Sequence, residues 1–276
     1  MVRCPSRRAA GPQGCFAKLE AVRRLLGVGA EVNRDDRVPV ICVDRLGLSA
    51  FNTFNPNAWD GDSRGVVQSC ASEFAVLRYS ATRIRSICGS ADALCRPYVD
   101  AMQEQWRTIP WDLKRTAYFG QVPELHVLTE GFFAGLKSLL DLLVQLLSTE
   151  GVVGVSLHGF HRANDVYGGV VVNALGSNVS KGKERVAAAI KALLLKHKSQ
   201  WIDYAIGSRD LLVHPSRWAQ QLMFEIQLES RDGDLVYVGA RPPHVGETSI
   251  DRYTMEQIEN ARELSTILMR ELRKAA

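Results

Sequence analysis

Arg209, Asp210 and His214 are the residues of this chain whose types and spacing best suit a reaction. An imidazole can take the proton of a ribose 2′-hydroxyl as general base and later act as the acid. A guanidinium can hold a phosphate through two parallel N–H bonds while charge builds on its oxygens. The Asp210 carboxylate beside them can orient either group. This chemistry is phosphodiester cleavage in RNA, and it calls for no metal and no cofactor. The spacing imposes a geometric condition, because a five-residue step turns a helix by roughly 500° and leaves the two side chains about 140° apart. Pro215 forces the chain out of the helix at that point, so a His in the last turn can swing back toward the preceding one. There it also feels the negative end of the helix dipole, which favours its protonated form. In the alternative, structural reading, Arg209 pairs with an acid on a neighbouring helix and His214 caps a helix end.

Other arrangements fall short of a chemical pattern. His158 and His161 offer two imidazoles without a well-spaced third ligand, so they read as loop histidines and not as a metal site. Gly176 to Lys183 misses the phosphate-loop spacing and carries Glu184 at the hydroxyl position. Gly154-Val155-Ser156-Leu157-His158 lacks the closing glycine of a nucleophile elbow.

The elements that must position Arg209 to His214 are mostly helical. Apolar residues at helical spacing predict helices over about 63–87 and 91–106, with Ser90 as the N-cap of the second. Pro110 and Pro123 bracket an interruption before the strongest helix, roughly Glu124 to Ser148. Its polar residues Glu130, Lys137, Asp141 and Gln145 share one narrow stripe, the mark of a helix buried on most sides of a bundle. The Gly- and Val-rich segment 150–180 reads as a long irregular connection with a short strand at Val170-Val171-Val172, and a loop of that length tends to be functional or mobile. A second long helix begins at Ser180, with Glu184 as capping partner, and ends at Pro215. An alternating hairpin follows over Met223–Leu228 and Leu235–Val238, around an Arg231-Asp232-Gly233-Asp234 turn. Thr254 to Lys274 forms the last helix. The expected fold is mainly α, an antiparallel helical bundle with one inserted β-hairpin before the C-terminal helix. Residues 1–61 read as a poorly organised or flexible segment and 62–276 as the helical domain.

Arg-Asp-x-x-x-His at the end of a long bundle helix, followed by a closing amphipathic helix, resembles the HEPN superfamily, whose hallmark is R-x4–6-H with a polar residue often directly after the Arg. Here those positions are Arg209, Asp210 and His214. The resemblance covers about residues 120–276. It implies a metal-independent endoribonuclease acting on RNA, toxin-like or defence-related, in which two motifs meet across a homodimer to form one cleft. It also implies an antitoxin-type protein partner, since many such toxins are paired with a minimal nucleotidyltransferase. A non-catalytic HEPN-like module that binds nucleotide, RNA or a protein partner is the alternative function. The chain departs from the compact family pattern in the hairpin at 223–238 and in the Gly-rich connection at 150–180.

Composition limits the partners. The formal charge is +4, yet residues 1–50 hold nine Lys/Arg against five acids, so the rest of the chain is neutral. RNA binding in the helical domain must therefore rely on a local patch, to which Lys196, Lys198, Arg217 and Arg231 are near enough in sequence to contribute. The six cysteines all lie within the first 95 residues and form no C-x-x-C pair, which predicts reduced thiols in a reducing compartment. Neither a signal-peptide pattern nor an apolar run long enough to span a bilayer is visible, and a cytoplasmic protein without a membrane role is expected.

Overall fold

A computed structural model describes residues 54–107, 117–120, 122–212, 222–231 and 234–274. In chain order the helices are α1 (Gly61–Gly89), α2 (Ala91–Arg107), α3 (Pro123–Thr149), α4 (Gly169–Ser177), α5 (Glu184–His197), α6 (Asp203–Leu212) and α7 (Ile250–Arg273). A π-turn, Lys198–Ile202, joins α5 to α6. The strands are β1 (Ala117–Phe119), β2 (Phe224–Arg231), β3 (Asp234–Arg241), β4 (His244–Val245) and β5 (Thr248–Ser249). The protein is thus mainly helical with a small antiparallel sheet.

Helix α1 is packed by two others. Val67, Cys70, Phe74, Leu77 and Ile84 line its buried face at the spacing read from the sequence. Against it lies α3, with Pro123 in its first turn and twelve buried residues from Leu125 to Leu147. The pair runs antiparallel: Arg83 bonds Glu124 at 2.6 Å near one end, and Gly135 faces Leu77 farther along. Helix α7 also crosses α1 in the antiparallel sense, with the Arg273 guanidinium over the Trp59 ring just ahead of α1. Each large side chain buried at these seams contributes roughly 1.5–3 kcal/mol by removal from water. Phe54 and Trp59 are buried too, so core packing includes residues ahead of position 62.

The hairpin is present, as β2 and β3 pair antiparallel with an irregularity between Gln227 and Leu228. It gains a third strand that periodicity did not reveal, because β1 is only three residues long and pairs with Phe224–Ile226. The sheet docks on α2 through Asp92, whose Oδ1 accepts from the Tyr237 hydroxyl at 2.6 Å and from the Ala240 amide at 2.9 Å.

Two local expectations are corrected. Val170-Val171-Val172 is not a strand but part of α4, where Val171 is buried among helices; three β-branched residues favour a strand only when a partner strand exists to receive them. The helix expected from Ser180 starts at Glu184, because Gly182 adopts φ +83 and interrupts the helical path. The Glu184 carboxylate instead accepts from the Gly182 amide at 3.0 Å.

Candidate functional site

Arg209 and Asp210 lie in the last turns of α6, both with about 38% of the side chain exposed. His214 lies outside the described residues, as do Pro215 and Arg217. Among the described residues the acid that Arg209 pairs with is its neighbour Asp210, whose Oδ1 accepts from Arg209 Nη1 at 3.2 Å. The other carboxylate oxygen is held from across the chain. Asp210 Oδ2 accepts from Arg162 Nη2 at 2.8 Å and from the Tyr167 hydroxyl at 2.9 Å. The Arg162 guanidinium lies 3.9 Å over the Tyr167 ring, a separation at which the ring face attracts the cation. One carboxylate therefore joins two guanidiniums and a phenol.

Arg162 and Tyr167 come from the segment read as an irregular connection, and the polar stripe of α3 is what holds that segment. Ser148 Oγ accepts from the Leu157 amide at 2.8 Å, Gln145 Nε2 donates to the His158 carbonyl at 3.1 Å, and Asp141 Oδ1 accepts from the Phe160 amide at 2.6 Å. Lys137 pairs with the same Asp141 carboxylate. Phe160 then buries its ring beneath Gly168. A side chain is excluded there twice over: Gly168 has φ +65, and a Cβ would sit 2.1 Å from the ring. Between these anchors the chain makes a tight reversal, with Ala163 and Val166 exchanging both backbone hydrogen bonds at 3.1 and 3.0 Å. Asn164 and Asp165 take φ 48 and 60 at its centre, the primed geometry that Asn and Asp tolerate best. This reversal sets Arg162 and Tyr167 on either side of the turn.

Electrostatics favour a positive site. Two guanidiniums share one carboxylate, leaving a net unit of positive charge with both Arg side chains partly open to solvent. Burial, then the hydrogen bond to Asp210, raises the Tyr167 hydroxyl above its ordinary range, so it stays a proton donor at neutral pH. Of the basic residues expected to form a patch, the three that are described pair with acids: Lys196 with Glu263 at 3.5 Å, Lys198 with Asp203, and Arg231 with Glu229 at 3.2 Å. Arg162 in the loop brings a second positive charge to the carboxylate that holds Arg209. Sequence reading missed Arg162 and Tyr167. Their available signal was the Asn164-Asp165 pair followed by Gly168-Gly169, turn chemistry that marks a built loop.

His158 and His161 are exposed, and among the described residues no three His, Cys, Asp or Glu side chains gather as a metal site. No helix among those residues is long and apolar enough to cross a membrane. Comparison of the chain with protein-family models, with curated proteins and with solved structures finds no match.

Proposed function

We propose that the protein is a HEPN-like, metal-independent RNA endonuclease in which Arg209 holds the reacting phosphate and His214 is the proton-transfer group. The observation that carries the reading is the partly exposed Arg209 guanidinium, fixed by Asp210 at the end of a bundle helix with a second guanidinium on the same carboxylate. An Arg held in this way presents its remaining N–H groups without having to be ordered at the moment of binding. His214 would take the proton of the 2′-hydroxyl, the 2′-oxygen would attack the adjacent phosphorus, and the 5′-oxygen would leave with a proton. The products would be a 2′,3′-cyclic phosphate and a 5′-hydroxyl end. A homodimer, a cytoplasmic toxin-like or defence role and an antitoxin-type partner belong to the same proposal.

The second reading, a non-catalytic module that binds RNA, nucleotide or protein, is favoured by the one-to-one pairing of Lys196, Lys198 and Arg231 with acids. Long RNA incubated with the purified protein in EDTA separates the two. Cyclic-phosphate ends, lost in Arg209→Ala and in His214→Ala while both variants remain folded, support the nuclease. RNA binding without cleavage supports the module.

A further inference from the structure

We infer that Arg162 is a second phosphate-holding residue of this site, which together with Arg209 grips the RNA backbone; this rests on the RNA-directed reading above. Three observations carry it. First, the two guanidinium nitrogens are tied to the two oxygens of one carboxylate, at 2.8 and 3.2 Å. They can therefore be no farther apart than about 8 Å, a span that a phosphate accepting bonds of about 2.8 Å on two of its oxygens also covers. Second, the charges do not cancel. Asp210 neutralises one guanidinium only, and Asp165, at the nearby turn, makes no ion pair with either among the described residues. Among the described residues Lys196, Lys198 and Arg231 sit in one-to-one pairs, whereas Arg162 and Arg209 share one carboxylate. Third, Arg162 is pre-ordered. Its guanidinium stacks on Tyr167, its edge is tied to Asp210, and the chain on both sides is anchored to α3 and around Gly168. Such an arrangement suits a binding group, since little side-chain freedom remains to be lost when a phosphate arrives. About 48% of the Arg162 side chain is still open to solvent.

Asp210 is then more than a tether for Arg209. It sets the separation of the two guanidiniums. Tyr167, whose hydroxyl shares Oδ2 with Arg162, is a positioning residue that does not itself touch the phosphate.

The test uses the full chain carrying His214→Ala, so that RNA is bound and not consumed, and a fluorescein-labelled single-stranded oligouridylate as probe. Binding is followed by anisotropy across a series of salt concentrations. Adding Arg162→Ala should raise Kd about tenfold and flatten the slope of log K against log salt by about 0.7, the value for one lost contact on single-stranded nucleic acid. Adding Arg162→Lys should keep the slope while raising Kd by only a few-fold, since the charge stays and the planar fork is lost. An unchanged Kd and slope in Arg162→Ala overturns the inference and leaves the Arg209–His214 reading standing. A flattened slope in Arg162→Lys also overturns it, because the loss would then come from a disturbed loop and not from a missing charge. If the chain neither binds nor cleaves RNA, the RNA-directed reading fails, and this inference with it.

Discussion

Asp210 makes a prediction in which binding and turnover move in opposite directions. Its carboxylate is the sole anion between Arg162 and Arg209 in the described ion pairs. Asp210→Asn keeps the shape and removes the charge, so the site gains one positive unit and one of the two oxygens that fix the guanidiniums becomes an amide donor. RNA affinity should rise by a few-fold with a steeper salt dependence, while cleavage should fall at least tenfold because the phosphate is no longer held in one orientation. Anisotropy titrations and single-turnover cleavage on the same preparation check both halves. Parallel losses would instead assign Asp210 a merely structural part.

His197 is buried at the end of α5. Trp201 Nε1 donates to its Nδ1 at 2.9 Å, and an indole N–H can only donate, so the ring proton sits on Nε2. That nitrogen is buried with no acceptor among the described residues. Protonating Nδ1 would set two donors against each other. Burial chiefly lowers the His197 pKa below its ordinary value, with Lys196 adding to the shift and Glu263 opposing it. The unfolded chain therefore binds this proton more readily than the fold does. The contribution to stability is intact above about pH 6.5, falls as the pH drops below that value, and levels off once the folded-state pKa is passed. Its slope is at most about 1.4 kcal/mol per pH unit for one proton. Urea melts of the parent and of His197→Phe between pH 7.5 and 5 should show a flatter profile for the variant in that window; identical profiles would remove His197 from the acid sensitivity.

At the scale of elements, the loop over residues 150–168 buries Val152, Val153, Leu157 and Phe160 and also contains one very close approach, at Gly168. Gly168→Ala must move the Phe160 ring or the backbone, because both the left-handed φ and the 2.1 Å approach oppose a side chain. The cost should exceed about 1 kcal/mol, and it should appear locally. Amide exchange over 157–167 should accelerate while that of α1 and α3 hardly changes, and cleavage should fall with the loss of Arg162 placement. Uniform acceleration across all three would show that the loop is not a separate unit. This region also explains what the sequence made legible. The long helices could be read because one apolar face repeats every three to four residues, as Val67, Cys70, Phe74 and Leu77 do in α1. The hairpin could be read because Phe224, Ile226 and Leu228 alternate. The polar stripe of α3 was visible, but its purpose was not: Asp141 and Gln145 of the stripe, with Ser148 beyond it, bind backbone groups of a segment with no periodicity. Side-chain-to-backbone contacts across such distances leave no repeating pattern. For the same reason Arg209 and Asp210 could be picked out while Arg162 and Tyr167, 48 and 43 residues from Asp210, could not.

At the scale of the whole molecule the question is whether one copy suffices. In-line attack places the 2′-oxygen and the departing 5′-oxygen on opposite sides of the phosphorus, so the base that takes one proton is badly placed to give the other. On the proposed nuclease reading, Arg162 and Arg209 of one chain would hold the phosphate and His214 of that chain would serve one side. A second copy related by a two-fold axis would bring a second His214 to the other side and complete the pair. Cleavage by the wild-type chain should then depend on association. Specific activity should fall on dilution through the same concentration range in which sedimentation shows the dimer dissociating. Mixing wild-type protein with a roughly ninefold excess of His214→Ala, after subunit exchange, should lower its activity about tenfold, because nearly every wild-type chain would then be paired with an inactive one. A monomeric site predicts no loss in that mixture beyond competition for RNA, which a saturating substrate concentration removes. The same mixture made with Arg162→Ala should suppress less strongly, since a mixed pair keeps both imidazoles and three of its four guanidiniums.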